Sequence, residues 1–259
     1  MYTGFCSICN LVVLNQMEIP APTPERIEAF KKLLKEPLNE VKASIDPRDH
    51  DRILNDSSYT SLFLRWSKND QDAVNLAVKC LKWRKENAVN DLTVENIGED
   101  TFKKGYIFLL GRDLAGNRVF QMRTGKMQKK DKEANTKLFI FWLERIQRQE
   151  PGKRVTFIMD TTGSGLTNSD MGFVKFVIEC FTSYFPCMLV RTVVYNLPSI
   201  LNAMWKLVSK MLSKEQSDAT VLCGRSEINK YVDDDNLPES MGGQMKFEYS
   251  FPPFPDDLE

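Results

Sequence analysis

Covalent chemistry needs particular side chains within reach of one another, and this chain offers few such sets. It has one histidine, His50, with no serine or cysteine elbow beside it, so the nucleophile-and-base pairing of a hydrolase is missing. Asp160-Thr161-Thr162-Gly163-Ser164 superficially looks like an aspartic-protease loop, yet it carries an extra residue and has no second copy to pair the carboxylates. Gly163-Ser164-Gly165 after an apolar run is a partial dinucleotide fingerprint lacking its third glycine and its later acidic partner. The stretch reads as a strand end turning on Gly163 and Gly165. Cys6 and Cys9 form a C-x-x-C with neither a second pair nor a nearby histidine to complete a zinc site. Catalytic residues, a metal and a cofactor are therefore not expected.

The chain is rich in adaptable apolar surface. Between residues 200 and 212, Leu201, Met204, Trp205, Val208 and Met211 form one stripe on a helical period. Ile200, Ala203 and Leu207 form a second beside it. That is wider than packing on one sheet requires. A helix buried in a large core would show the same pattern, and periodicity alone does not separate it from a helix that covers and uncovers something. Lys206, Lys210 and Lys214 recur every four residues on the same stretch, as a membrane-facing stripe or an ordinary solvated face would.

The elements around these segments are legible. Residues 1–23 read as an extension; residues 15–24 carry Pro20, Pro22 and Pro24, and Pro24 opens the first helix at 24–40. Shorter helices are expected at 48–55, 59–67 and 70–87; with the first they make a helical subdomain over 24–95. In the last, Ala73, Leu76, Ala77, Cys80 and Leu81 fall on one face. Runs 106–110 and 118–122 flank a glycine-bearing turn and read as a hairpin. Helix 133–149, strand 154–160, helix 168–185, strand 189–195, helix 201–213, strand 220–223 and helix 226–232 follow, before a tail at 251–259. Strands alternating with helices predict an α/β domain over 96–250, a mostly parallel sheet flanked by helices, because parallel neighbours need crossovers.

Composition excludes some classes. Lys plus Arg equals Asp plus Glu at 35 each, which argues against a nucleic-acid binder. The six cysteines show no disulfide framework and read as reduced core residues. The apolar run 5–14 is too short to span a bilayer and lacks the flanks of a signal peptide, so a cytoplasmic protein is expected.

The ordered motifs resemble a known family. Leu62-Phe63-Leu64-Arg65-Trp66 and Trp83-Arg84-Lys85-Glu86 are similar to the helical subdomain preceding CRAL-TRIO lipid-binding domains. Tyr184-Phe185-Pro186, Asn196-Leu197-Pro198 and Asn236-Leu237-Pro238 with Met241-Gly242-Gly243 continue the likeness in the family's order over roughly residues 45–250. Phe141-Trp142-Leu143-Glu144-Arg145 and Tyr249-Ser250-Phe251-Pro252-Pro253 look similar to motile sperm domain-containing proteins, which add a tethering domain and an anchor; with such a tethering domain attached the protein would sit at the endoplasmic reticulum.

The resemblance implies a hydrophobic lipid held in an apolar pocket under a gate helix, transfer between membranes, and no catalysis. The alternative is a protein-interaction or tethering module with a structural or sensory pocket and a protein partner. The gate helix would carry Ile200, Leu201, Ala203, Met204, Trp205, Leu207, Val208, Met211 and Leu212. Phe173, Phe176, Val177 and Cys180 would wall the pocket, and Phe120, Met122 and Ile158 would floor it. Lys206, Lys210 and Lys214, with Lys126, Lys129, Lys130 and Lys132, would meet anionic headgroups at roughly 1 kcal/mol each as the protein sits peripherally on a membrane. Members that bind phosphatidylinositol use a glutamate on the helix ending at Tyr184-Phe185-Pro186 and a lysine late in the gate helix. Phe176 and Ser209 stand at those positions here, with Lys210 about 100° further round, which counts against phosphatidylinositol.

Overall fold

In the computed structural model residues 21–251 are described. The Cys6–Cys9 pair, the apolar run 5–14 and the tail beyond 251 lie outside them. Helix α1 (Pro24–Glu40) starts on Pro24, the Thr23 hydroxyl accepting from the Arg26 N–H, and buries Phe30, Leu34 and Leu38, the four-residue spacing of one face. Asp46, Asp56 and Asn69 cap α2 (Pro47–Asn55), α3 (Ser57–Trp66) and α4 (Asp70–Glu86) through their side-chain oxygens, each satisfying an N–H that would otherwise be orphaned. Short helices α5 (Val94–Ile97) and α6 (Glu99–Lys103) lead into the sheet.

The sheet has five strands in sequential order: β1 (Ile107–Arg112), β2 (Arg118–Arg123), β3 (Val155–Asp160), β4 (Leu189–Tyr195) and β5 (Thr220–Cys223). The first pair is antiparallel and the rest parallel. The hairpin is tighter than sequence suggested, because β1 continues through a bulge at Gly111, whose φ is 81°, a value glycine adopts without strain. Sequential parallel order with right-handed crossovers puts the connecting helices on one face. These are α7 (Lys132–Gln149), α8 (Met171–Glu179), α9 (Asn202–Ser209) and α10 (Lys214–Asp218).

The other face carries Val119, Ile158, Val193 and Tyr195, covered by Ile228, Val232, Leu237 and Met241 of the C-terminal segment. No long helix does the covering: the expected helix at 226–232 is a single 3-10 turn, Ile228–Lys230. The Met241-Gly242-Gly243 motif closes this wrap, since Gly242 sits at φ 107° and a Cβ on Gly243 would collide with the Leu237 carbonyl. Two other helices are broken. A π-helical turn, Cys180–Tyr184, ends α8, and the expected helix 201–213 is a 3-10 turn, Ser199–Leu201, followed by α9, a turn and α10.

The helical region docks on this core by aromatic stacking and ion pairing. Trp83 stacks on Tyr184 with centroids 3.9 Å apart and planes 4° from parallel, and Trp66 donates to the Thr182 carbonyl at 2.8 Å. At the centre Arg84, fully buried, forks onto Glu144 of α7 at 2.7 and 2.9 Å. Its Nε makes an ion contact with Asp49 at 2.9 Å, while Asn90 donates to the other Asp49 oxygen at 2.8 Å.

Candidate functional site

Strand alternation decides what can face the crossover helices. On β2, β3 and β4 the residues pointing that way include Phe120, Met122, Phe157, Met159 and Val194, and against them lie α7, α8 and α9. Between sheet, α8 and α9 are two small chambers of about 70 and 60 Å³. Met122, Met159, Phe173, Val174, Trp205 and Val208 line both. The smaller chamber adds Phe157, Val177, Phe181, Leu189 and Leu212. The larger adds Leu201 and Met204 of the 199–209 segment and a polar lip from residues 124–129 and 161–170.

The structure sorts the residues expected to form the pocket. Met122, Phe173, Val177, Leu201, Met204 and Val208 line a chamber. Ile158 does not: one place from Met159, it points to the opposite face, as the two-residue period of a strand requires. Phe120 is on the correct face but is sealed beneath Phe139 and Phe157, at centroid distances of 5.0 and 5.5 Å. On α8, residues 173 and 177 face the chambers, whereas Phe176 lies about 60–100° round the helix from them and Cys180 belongs to the π-helical turn that follows. Phe176 packs on Phe139 at 5.9 Å, and Cys180 is wholly buried in the core, its thiol pushed well up by burial.

Ile200 and Leu207 point outward, 60% and 58% exposed. Met211 sits in the turn after α9, and Leu212 lines the smaller chamber instead. That turn also breaks the basic stripe: Lys206 and Lys210 are exposed on and just after α9, while Lys214 begins α10. Trp205, on the apolar stripe expected from the sequence, lines both chambers, and Met159 and the lip join it without having been expected there.

The path into α9 is set by its motif. Asn196 turns off β4 at φ 54°, a conformation asparagine tolerates, with its amide donating to the Thr162 hydroxyl at 3.1 Å. Pro198 then opens the 3-10 turn. The lip is stapled from within. Asn168 donates to the carbonyls of Gly125 and Met127 at 3.3 and 2.9 Å and accepts from the Gly165 N–H at 3.2 Å. Thr124 and Ser164 share a hydrogen bond of 2.5 Å, and Thr161 donates to the Tyr195 carbonyl at 2.7 Å.

Among the described residues no cluster of three or more His, Cys, Asp or Glu side chains is placed to hold a metal. The Asp160 carboxylate accepts from the Thr162 N–H at 3.0 Å, a turn contact, with Gly163 at φ 70°.

A domain of this architecture, one-sided crossovers with a short apolar helix over the sheet, invites comparison with known proteins. The family model of the CRAL/TRIO domain matches residues 102–243. The chain belongs to that family. It is 24% identical over 204 residues to a CRAL-TRIO domain-containing protein of Schizosaccharomyces pombe, covering 73% of this chain and 46% of that protein. It is 24% identical over 253 residues to the phosphatidylinositol transfer protein CSR1 of Eremothecium gossypii, covering 90% and 57%, so it spans about half the length of these curated relatives. Patellin-2 of Arabidopsis thaliana is 27% identical over 198 residues, 68% of this chain and 28% of that one. The crystal structure of Sfh5 superposes with a TM-score of 0.68 at 17% identity, covering 92% of this chain and 94% of the other, which establishes a shared fold. Among the described residues no helix is long and apolar enough to cross a membrane.

Proposed function

We propose that this CRAL/TRIO domain binds a hydrophobic lipid between sheet, α8 and α9, with α9 as the gate, and carries it between membranes without altering it. The observation that carries this reading is the placement of α9. Trp205 and Val208 line both chambers while Leu207, on its other side, and Ile200, in the 3-10 turn before it, face solvent. Chambers of about 70 and 60 Å³ are smaller than the roughly 150 Å³ engineered cavity that admits benzene, so the arrangement is a closed one. Outward displacement of α9 withdraws both plugs and joins the chambers. The chain offers a pivot on either side, at Asn196-Leu197-Pro198 and in the turn after Ser209. Burial of each lipid CH₂ returns about 0.8 kcal/mol, enough over a chain to offset the opening.

The outward pair Ile200 and Leu207, beside Lys206 and Lys210, would touch the bilayer when the gate opens, the protein remaining peripheral. The same exposed pair supports a second reading, a tethering module that recruits a protein partner. The runs at 141–145 and 249–253 support a place near the motile sperm domain-containing proteins, hence action at the endoplasmic reticulum alongside a tether. The deciding experiment is native mass spectrometry of the purified protein after incubation with mixed liposomes, followed by lipid extraction and transfer to acceptor vesicles. A stoichiometric lipid that moves to acceptors supports the carrier; absence of any bound lipid leaves the tethering module.

A further inference from the structure

α8 does not finish as an α-helix. Cys180–Tyr184 form a π turn, the only one among the described residues, and such turns are rare and recur at functional sites. This one is gripped from outside. Trp66 donates to the Thr182 carbonyl at 2.8 Å, Lys79 to the Ser183 hydroxyl at 3.0 Å and the Cys80 thiol to the Tyr184 carbonyl at 3.3 Å, while Trp83 stacks on the Tyr184 ring at 3.9 Å. Each residue from 182 to 184 is thus fixed by α3 or α4 of the helical region.

Phe181, in the same turn, faces the other way. It is 3% exposed, continues the four-residue stripe of Phe173 and Val177, and has its ring 5.7 Å from Phe157 and 6.0 Å from Phe139. The two chambers follow one another along α8 and β4. Asp170 and Val194, at the start of α8 and near the end of β4, line only the larger; Phe181 and Leu189, at the opposite ends, line only the smaller. From Asp170 to Phe181 the chain advances roughly 16 Å at 1.5 Å per residue. A hydrocarbon chain lying along α8 from the lip therefore ends against the Phe181 ring, which stands on a turn that the helical region holds in place. Resting on the carrier reading above, we infer that Phe181 sets the length of acyl chain the pocket accepts, with Trp66, Cys80 and Trp83 as positioning residues that hold it through the π turn. The α9 side of the pocket opens; this side is its fixed stop.

The test loads the whole chain from vesicles of phosphatidylcholine, phosphatidylinositol and diacylglycerol, each present as an equimolar series of saturated chains from myristoyl to behenoyl. Protein is re-isolated, and the chain-length profile of whichever class is bound is read by mass spectrometry. Each CH₂ that gains or loses burial changes affinity about fourfold, from about 0.8 kcal/mol at 1.36 kcal/mol per tenfold. The wild-type profile should therefore fall steeply beyond one length, and Phe181→Ala should raise the ratio of the next longer chain to that length by about fourfold or more. Phe181→Leu, a smaller loss from the core, should move the ratio in the same direction. Trp83→Ala leaves every chamber-lining residue in place and should also shift the profile toward longer chains. Trp83→Phe, which keeps a ring on Tyr184, should retain the wild-type profile, and Trp83→Ala added to Phe181→Ala should shift it no further than Phe181→Ala alone. A flat wild-type profile, or one that both Phe181 variants leave unchanged, overturns the length assignment and leaves the carrier standing. A Trp83→Ala profile identical to wild type, or additive with Phe181→Ala, overturns the positioning role. No lipid bound to wild type overturns the carrier reading and the length assignment with it.

Discussion

Glu144 sits where the helical region meets the α/β core, and its removal has a calculable effect. Its carboxylate accepts from Arg84 at 2.7 and 2.9 Å, from Arg148 at 2.7 Å and from Arg52 at 3.3 Å. Burial alone would raise its pKa, but the Arg84 charge and hydrogen bonds, with Arg148 and Arg52 behind them, outweigh burial and hold it down from 4.5 to about 2. At 1.36 kcal/mol per tenfold in proton affinity that is about 3 kcal/mol. Glu144→Leu leaves the Arg84 guanidinium buried with Asp49 as its remaining carboxylate partner, and breaking one side of a buried pair costs about 3–5 kcal/mol.

For a chain of this size the loss corresponds to a Tm roughly 6–20 °C lower, measured by calorimetry at pH 7. Because the folded-state pKa is depressed, the stabilisation is complete above about pH 4.5 and is lost as pH falls through 2. The gap between wild type and variant should therefore close over that window. Replacing the whole triad, Asp49→Leu with Arg84→Met and Glu144→Leu, should recover most of the loss. A single-variant cost under about 1 kcal/mol, or a gap that ignores pH between 4.5 and 2, would refute the assignment of this network as the joint between the two parts.

Met159→Trp places a large ring where both chambers meet; lipid recovered after liposome incubation should drop at least fivefold, with overpacking costing about 1–3 kcal/mol, and undiminished loading would mean the lipid lies elsewhere. Ile200→Asp with Leu207→Asp alters exposed positions, so Tm should stay within about 0.5 kcal/mol equivalent while cosedimentation with anionic vesicles is lost; retained cosedimentation would put the docking surface on another face. Burial pushes the thiol of Cys80 up to about 12 and those of Cys187 and Cys223 up to about 11. Since the thiolate is the reactive form, peptide mapping after alkylation at pH 8 should find these three unlabelled in native protein and labelled in denaturant; native labelling of Cys80 at the rate of a free thiol would contradict its burial.

Periodic segments were readable because burial on one face writes itself into spacing. Phe30, Leu34 and Leu38 announce α1, and alternation of helix-length and strand-length apolar runs announces the parallel sheet. The broken elements were not readable. In 226–232 the apolar residues Ile228 and Val232 keep a helical spacing, yet they cap the back of the sheet from a 3-10 turn. The four-residue recurrence of Lys206, Lys210 and Lys214 runs straight through the turn that ends α9. For the pocket, composition named the helices but not the rotation of α8 that turns Phe176 toward Phe139, nor the π-helical turn that holds Cys180. The Arg84–Glu144 joint had a signal of its own: a charge in the middle of an apolar docking segment, once in Trp83-Arg84-Lys85 and once in Leu143-Glu144-Arg145. Two such charges of opposite sign in separate buried helices need each other.

Ile158 shows why topology, more than hydrophobicity, selects the pocket floor. It is as apolar as its neighbours Phe157 and Met159 and as buried as Phe157, so no scale of side-chain character separates them. The separation comes from sequential strand order: right-handed crossovers send α7, α8 and α9 to a single face, the C-terminal segment has only the other face left to cover, and alternate residues of β3 are thereby divided between helices and wrap. Helices are elements that can lift away as units, whereas the wrap is threaded through backbone contacts such as Met245 to Leu237 at 3.0 Å. A ligand space that must open and close therefore belongs on the helix side, where α9 is only eight residues long, buries Val208 alone and leaves Leu207 exposed.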